Sequence, residues 1–125
     1  MKLSDLDSYA EGKILAGCID HTGYVVINNP ERHNAVSLAM YEAAAEVVEA
    51  MASDDNARLL ILRGAGGKAF ASGADISKFE EERSSEAQVA TYTAASTRFY
   101  NAVFTFPKPT IAQITGYCIG GGMGL

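Results

Sequence analysis

The sequence predicts an α/β fold, because short apolar strands alternate with helical segments along the chain. Residues 13–20 and 24–28 are rich in β-branched and aromatic side chains, and they predict a hairpin with its turn at residues 21–23. Apolar side chains recur at three- and four-residue spacing over residues 38–51, which indicates a helix. Residues 58–63 contain four consecutive apolar side chains, which is typical of a strand covered on both faces.

The segments around these elements are more polar. Residues 1–11 are mixed in character, and we expect a loose lead-in there. Asn29-Pro30 ends the hairpin, since proline lacks an N–H donor and restricts the residue before it. Ser37 suits the N-cap of the first helix, but no capping box is expected because Met40 stands where glutamate or glutamine is needed. The charged residues 77–85 indicate a solvated surface segment.

The last third of the chain leads into a glycine-rich stretch. A second helix is predicted over residues 86–104, and Pro107 and Pro109 end it. A buried-looking strand at residues 109–114 follows, and then three consecutive glycines at 120–122 leave the backbone bare. If a helix begins there, its first N–H groups have no partner within the helix and suit an oxygen that gains negative charge. A tight packing turn between strand and helix is the alternative.

Composition excludes several classes of function. The chain has 125 residues and a net charge of −5, which suits one small domain and argues against a general nucleic-acid or membrane-surface binder. No apolar run reaches spanning length, and the acidic N-terminus does not look like a signal peptide. Cys18 and Cys118 lie in apolar settings, so we expect buried free thiols, a reducing compartment and a cytoplasmic location. Because the sequence stops where the glycine stretch should start a helix, we expect part of a longer protein.

Two motifs that could bind a nucleotide or a metal have simpler interpretations. Residues 64–69 fit the loose dinucleotide pattern GxGxxA, but no amphipathic helix follows, and a plain loop is favoured. The same residues lack the first glycine and the Ser or Thr of a Walker loop. His21 and His33 have no cysteine or acidic neighbour at ligand spacing, so no metal site is expected.

Three polar side chains have structural roles as their default. Asp75 is favoured as the cap of a following short helix over a catalytic acid, since one carboxylate forms no acid–base pair. Asn34 is suited to fixing its loop by hydrogen bonds. Tyr117 precedes an apolar pair, and core packing is its expected role.

Three ordered blocks of the sequence resemble the enoyl-CoA hydratase/isomerase (crotonase) superfamily. They are residues 29–36, 67–76 and 108–122, and their order and spacing match from about residue 12 onward. One block alone would not be specific, whereas the three together are. The resemblance implies the N-terminal turns of a ββα superhelix, with residues 1–125 forming part of a single crotonase-like domain. It also implies homotrimers that often pair into hexamers.

The resemblance further implies an acyl-CoA thioester substrate, with no other cofactor and no metal. Two backbone N–H groups, matched to Ala74 and Gly121, would form an oxyanion hole for a thioester enolate. The glycine amides also follow from the residue pattern, whereas Ala74 comes from the resemblance alone. The residues implied to bind the CoA thioester are Arg32, His33, Ala35, Ser72, Gly73, Ala74, Asp75, Ile76, Tyr117, Gly120 and Gly121.

One position departs from the pattern of typical hydratases. Gly124 stands where they place a catalytic glutamate, and the family's second acid would lie beyond Leu125. The expected function is therefore hydration, double-bond isomerisation or related lyase chemistry on acyl-CoA thioesters. The alternative is a non-catalytic acyl-CoA-binding or scaffold homologue, which Gly124 permits.

Overall fold

The structure is a computed structural model that describes residues 1–75 and 78–125, apart from the side chains of Phe79 and Glu81. Ile76, implied above to bind the thioester, lies outside the described residues. The strands are β1 Asp7–Tyr9, β2 Ile14–Ile19, β3 Thr22–Ile27, β4 Leu59–Gly64, β5 Ala69–Ala71, β6 Thr110–Gln113 and β7 Tyr117–Cys118. The helices are α1 Leu38–Ala52, α2 Phe79–Glu82, α3 Glu86–Phe104 and α4 Gly121–Gly124, and Leu3–Asp5 and Pro30–Arg32 are short 3-10 helices.

The predicted α/β class is confirmed by the sheet topology. The larger sheet has the strand order β1-β2-β3-β4-β6. The pairs β1–β2 and β2–β3 are antiparallel, whereas β3–β4 and β4–β6 are parallel. Parallel neighbours need a crossover connection, which α1 supplies between β3 and β4 and α3 supplies before β6. A separate parallel pair, β5 and β7, carries the chain to the glycine-rich turn.

The predicted hairpin is confirmed, but its turn was placed too late. Asp20 and His21 both have positive φ, 50° and 66°, and Thr22 already pairs with Ile19. A two-residue turn with two positive φ angles matches the twist of the strands it joins. Thr22 and Gly23 therefore belong to β3 and not to the turn.

Two further predictions about the ends of the chain are wrong. The expected loose lead-in contains β1, which pairs antiparallel with β2 through Ser8 and Leu15. The strand expected to be buried is β6, and all four of its residues are exposed. Among the described strands β6 pairs only with β4, so it lies at the edge of the sheet. Apolar composition does not reveal whether a strand is central or at an edge.

The main core lies between the larger sheet and the helices α1 and α3. Most of the apolar positions predicted for the first helix are buried, and Val47 is half-buried. On β4, Leu60 and Leu62 are buried whereas Leu59 and Ile61 are half-buried, so one face is covered more completely than the other. The largest fully buried side chains are Phe70, Phe99, Ile14, Met40, Leu60, Val25, Val26, Val48 and Asn34.

The start of α1 is capped more fully than the sequence predicts. The Ser37 hydroxyl accepts a hydrogen bond from the Met40 N–H at 3.4 Å, as expected of an N-cap. The Ser37 N–H donates in return to the Met40 Sδ at 3.5 Å, so the predicted absence of a capping box is wrong. A carboxylate oxygen of Glu82 also accepts from the Leu38 N–H at 3.0 Å. A carboxylate at this end of a helix is stabilised by the helix dipole.

The two cysteines are free, as predicted, but they are not buried. Cys18 is exposed and Cys118 is half-buried. The Cys18 thiol donates to the backbone carbonyl of Asn56 at 3.3 Å. Its position on β2 therefore faces outward, where an apolar sequence setting led us to expect burial.

Candidate functional site

The glycine-rich turn is held against β5 by close backbone contact. The Ile119 N–H donates to the Ala71 carbonyl at 3.3 Å. A Cβ placed on Gly122 would lie 3.0 Å from the Ala71 Cβ and would overlap the Ala71 carbonyl. Gly120 adopts φ 55° and ψ −128°, a conformation that residues with a Cβ rarely adopt. The start of α4 can therefore lie directly on β5 only with glycine at these positions.

The segment that follows β5 is fixed by a β-bridge between Val36 and Ala74. The Val36 N–H donates to the Gly73 carbonyl at 2.7 Å, and the Asp75 N–H donates to the Val36 carbonyl at 3.2 Å. Because successive N–H groups of an extended segment point to opposite sides, the Ala74 N–H faces away from Val36. Among the hydrogen bonds between described residues, neither the Ala74 nor the Gly121 N–H is a donor.

The segment that follows β5 and the glycine-rich turn approach each other where they carry the candidate amides. Gly73 has a φ of 96°, and a Cβ placed there would lie 3.2 Å from the Gly121 nitrogen. Ala74 follows directly in the chain, so both candidate amides lie at one junction. Both residues are partly accessible to solvent. The convergence of the two N–H bonds on a single oxygen stays a prediction.

Asn34 fixes the loop that lies beside this junction. Its side-chain oxygen accepts from the Asn29 N–H at 2.8 Å. Its amide nitrogen donates to the carbonyls of Ala65 and Ala69, at 2.9 and 2.7 Å. Asn34 is fully buried and has a φ of 58°, which asparagine tolerates better than most residues. The predicted role of Asn34 in fixing its loop is confirmed.

A cleft of about 400 Å³ contains most of the residues implied to bind coenzyme A. It is lined by Glu31, Arg32, His33, Ala35, Ser72, Ala74 and Asp75. The Ser72 hydroxyl donates to the Arg32 carbonyl at 3.3 Å and so joins the two sides of the cleft. The glycine at 73 lies in the same segment, while Gly120 and Gly121 lie at the junction described above.

Tyr117 extends this cleft and does not pack in the core. A second space of about 290 Å³ is lined by His33, Ser72, Tyr117 and Ile119, two of which also line the first. The Tyr117 ring is 61% exposed and meets the His33 ring edge to face at 5.8 Å. The core-packing interpretation of Tyr117 is therefore wrong, because β7 presents this ring to the cleft side of the short sheet.

Asp75 is buried beside the bridge. The Asn29 amide donates to one of its carboxylate oxygens at 3.5 Å, and the Lys78 N–H donates to its backbone carbonyl at 3.1 Å. A side-chain cap would accept from the N–H of residue 77 or 78, and residue 77 lies outside the described residues. The capping role of Asp75 stays a prediction.

Three tyrosines behind the junction were not singled out from the sequence. The Tyr92 hydroxyl donates to the Val36 carbonyl at 2.8 Å, and the Tyr100 hydroxyl donates to the Gly121 carbonyl at 3.1 Å. Tyr41 lies between them, with its hydroxyl 3.2 Å from that of Tyr100. Burial raises the pKa of Tyr92 to about 12, and burial raises the pKa of Tyr41 further still. The sequence feature that could have indicated them is a set of tyrosines, aromatic rings with a polar hydroxyl, on the inner faces of two helices.

Gly124 carries no side chain at the position where the resemblance implies a glutamate. A Cβ placed there would meet only the Tyr100 ring among the described residues, at 3.9 Å, which is an ordinary contact distance.

The loop at residues 64–69 leads into β5 and not into a helix, so the dinucleotide interpretation remains disfavoured. Within residues 1–75 and 78–125, no cluster of three potential metal-ligating side chains is found, and no helix has the length and apolarity to span a bilayer.

Solved structures share this architecture. A crystal structure of an enoyl-CoA hydratase/carnithine racemase from Magnetospirillum magneticum superposes on the chain with a TM-score of 0.82. The two are 38% identical, over 89% of this chain and 42% of that one. The chain therefore has the crotonase fold.

Sequence comparison specifies the family. A family model described as enoyl-CoA hydratase/isomerase matches residues 22–125. Human mitochondrial 3-hydroxyisobutyryl-CoA hydrolase is 34% identical over 110 residues, which are 87% of this chain. Mouse mitochondrial Delta(3,5)-Delta(2,4)-dienoyl-CoA isomerase is 34% identical over 114 residues, or 84% of this chain. The chain belongs to the enoyl-CoA hydratase/isomerase family, and it spans 28% and 35% of the length of these two relatives.

Proposed function

We propose that this chain supplies the oxyanion hole and part of the coenzyme A cleft of an enzyme that acts on acyl-CoA thioesters through an enolate. The observation that carries the proposal is the close approach of Gly73 to Gly121, whose nitrogen lies 3.2 Å from where a Cβ on Gly73 would be, beside an Ala74 N–H that faces away from its bridge. The acyl-CoA substrate class is supported by the names of the relatives, which include a hydrolase and an isomerase of CoA thioesters. Homotrimeric or hexameric assembly, implied by the family resemblance, is part of the same proposal.

The chemistry follows from the charge that develops on the thioester oxygen. Transfer of a proton from the carbon next to the carbonyl to a general base leaves an enolate, whose negative charge lies largely on that oxygen. The N–H groups of Ala74 and Gly121 would donate to this oxygen, and their backbone is already fixed by the Val36 bridge and by the packing of α4 on β5. Loss of one such donor typically costs about 3 kcal/mol of barrier, or 10²- to 10³-fold in rate.

The cleft beside this junction suits the rest of the coenzyme A molecule. Arg32 and His33 are exposed at its edge, and coenzyme A carries phosphate groups that an arginine guanidinium can bind. Ser72 and Asp75 line the same cleft as Arg32 and Ala74. A thioester bound along this cleft would have its cofactor portion at Arg32 and its carbonyl at the junction.

The test is deuterium exchange at the carbon next to the thioester carbonyl of butanoyl-CoA, followed by NMR in the complete gene product. This exchange reports enolate formation whichever reaction the enzyme completes. Ala74→Pro removes the N–H, and we expect exchange to fall about 10²- to 10³-fold. Ala74→Gly keeps the N–H and is the matched control, with exchange within about threefold of wild type. Wild-type exchange in Ala74→Pro, with coenzyme A binding intact, would contradict the oxyanion-hole assignment.

A second function is supported by Gly124. With no carboxylate at this position, the chain would bind acyl-CoA without turning it over. The same experiment separates the two: a wild-type protein that binds butanoyl-CoA in calorimetry but shows no exchange above solvent would be a binding or scaffold homologue.

A further inference from the structure

We infer that Tyr41, Tyr92 and Tyr100 form a brace that sets the relative position of the two amides of the oxyanion hole. The inference rests on the proposed function, because it assigns positioning residues to that same site. No one of these tyrosines is expected to touch the thioester. One end of the brace contacts Val36, which forms the β-bridge with Ala74, and the other end contacts Gly121 itself.

One end of the brace holds the Ala74 segment. The Tyr92 hydroxyl donates to the Val36 carbonyl at 2.8 Å, and that carbonyl also accepts from the Asp75 N–H at 3.2 Å. The carbonyl is therefore shared between the brace and the residue that follows Ala74. A rotation of the Val36 peptide would break both hydrogen bonds and turn the Ala74 N–H with it.

The other end holds Gly121. The Tyr100 hydroxyl donates to the Gly121 carbonyl at 3.1 Å. A Cβ placed on Gly121 would lie 2.6 Å from the Tyr100 hydroxyl and 3.3 Å from the Tyr41 hydroxyl, so both hydroxyls lie where a side chain at this position would have to be. Because Tyr100 uses its single proton on the Gly121 carbonyl, Tyr41 must donate in the 3.2 Å contact between the two hydroxyls.

Tyr41 joins the two ends through aromatic packing. Its ring meets that of Tyr92 edge to face, with centroids 5.5 Å apart and planes at 88°. It meets the Tyr100 ring in the same way, at 6.0 Å and 84°. Edge-to-face rings at these distances attract each other and resist rotation. Since Tyr92 and Tyr100 lie on the single helix α3 and Tyr41 on α1, the packing of two helices is transmitted to both amides.

The brace predicts how the loss of one tyrosine hydroxyl changes the carbonyl of a bound thioester. Hydrogen bonds from the oxyanion hole lower the carbonyl stretching frequency of butanoyl-CoA, which is read by difference infrared spectroscopy with ¹³C at the carbonyl. In the complete gene product we expect Tyr92→Phe and Tyr100→Phe to move this band back toward its frequency in water. Exchange at the neighbouring carbon should fall by up to about 100-fold, as a misplacement on the scale of 1 Å does elsewhere, with affinity for coenzyme A unchanged.

Tyr24→Phe is the control, because Tyr24 is half-buried, as Tyr100 is, and its hydroxyl has no hydrogen-bond partner among the described residues. Its band and exchange rate should equal those of wild type. A band that stays at the wild-type frequency in both Tyr92→Phe and Tyr100→Phe would overturn the brace while leaving the oxyanion hole intact. Loss of coenzyme A binding together with the band shift would also overturn it, since the tyrosines would then only maintain the fold. A wild-type band at the frequency of free thioester would overturn hole and brace together.

Discussion

Asn34 is the single side chain on which the loop beside the site most depends. Its side chain forms hydrogen bonds with three backbone groups in two different segments. Asn34 and its neighbour His33, which has a φ of 52°, both adopt the left-handed backbone conformation. The amide satisfies buried carbonyls that water does not reach. Loss of a partner at such groups costs about 1–3 kcal/mol for each one left unsatisfied.

We predict that Asn34→Ala lowers the free energy of unfolding of the complete gene product by about 3 kcal/mol or more. Urea unfolding measures this change. Asn101→Ala is a suitable control, because Asn101 is exposed on α3 and alanine is the better helix former there, so stability should change by less than about 1 kcal/mol. Equal effects of the two substitutions would show that the hydrogen bonds of Asn34 contribute little.

The buried tyrosines predict a loss of stability in alkali. The pKa of Tyr92 is raised to about 12 and that of Tyr41 is raised further, mainly by burial, whereas an unfolded tyrosine titrates near about 10. Above pH 10 the unfolded chain therefore binds fewer protons than the folded chain. The stabilisation is fully present below about pH 10 and is lost as pH rises through about 12.

Thermal unfolding between pH 8 and pH 12 measures this dependence. We expect the melting temperature of the wild type to fall in the upper part of this range, and that of Tyr92→Phe to fall less steeply. Parallel dependences of melting temperature on pH for the two proteins would mean that Tyr92 ionises equally in the folded and unfolded states.

At the scale of secondary structure, the contact between α4 and β5 determines where the Gly121 amide lies. Gly122 is buried against Ala71, whereas a Cβ on Gly124 in the same helix would meet no described residue closer than the Tyr100 ring at 3.9 Å. The two positions therefore form a matched pair for the same substitution.

We predict that Gly122→Ala separates α4 from β5 and lowers stability by about 1–3 kcal/mol, as overpacking does in other cores. Exchange of butanoyl-CoA should fall with it, because the Gly121 amide moves. Gly124→Ala should leave both stability and exchange near wild type, since its Cβ has room. The pair is compared by urea unfolding and by the NMR exchange assay. Similar losses of stability and exchange in both variants would show that replacing any glycine of α4 has this effect, and that the contact between Gly122 and Ala71 does not determine it.

Elements with strong local signals were predictable from the sequence, and those that depend on partners were not. The observed α3 has the predicted bounds, because Ser85 and the prolines after residue 104 mark its ends locally. The strands β1, β5 and β7 have two or three residues each and form only because a partner lies beside them. The three tyrosines were missed for the same reason, since their contact depends on how α1 packs on α3. Ala74 has no side-chain signal at all, because its proposed role belongs to its N–H.

At the scale of the whole molecule, large apolar side chains remain exposed toward the C-terminal end of the described chain. Phe104 is 88% exposed and Met123 is 73% exposed. The other members of this group are Ile111, Ile114, Tyr117 and Ile119. Apolar exposure of this extent usually marks a surface that other polypeptide covers, and the relatives that this chain matches are more than twice its length.

Gly124 bears on the reaction of the whole protein. The family resemblance implies that hydration uses two acidic side chains together, one that positions water and one that moves a proton. A glycine can do neither. We predict that the complete gene product hydrates a short trans-2-enoyl-CoA slowly, since general acid–base catalysis is commonly worth 10²- to 10⁴-fold. Gly124→Glu should raise this rate if a second acid is present, because the position has room for a side chain.

Loss of the enoyl thioester absorbance follows hydration in both proteins, and Gly124→Gln is the control that adds the same bulk without the acid. A wild-type rate equal to that of an efficient hydratase would mean that another residue replaces the missing carboxylate.

The central claim is that the N–H groups of Ala74 and Gly121 bind one thioester oxygen. A crystal structure of the complete gene product with butanoyl-CoA bound tests it most directly. We predict that the thioester carbonyl oxygen lies about 2.7–3.1 Å from both nitrogens, with the coenzyme A portion running past Ser72 toward Arg32. A carbonyl oxygen within reach of only one of these nitrogens, or of neither, would contradict the assignment.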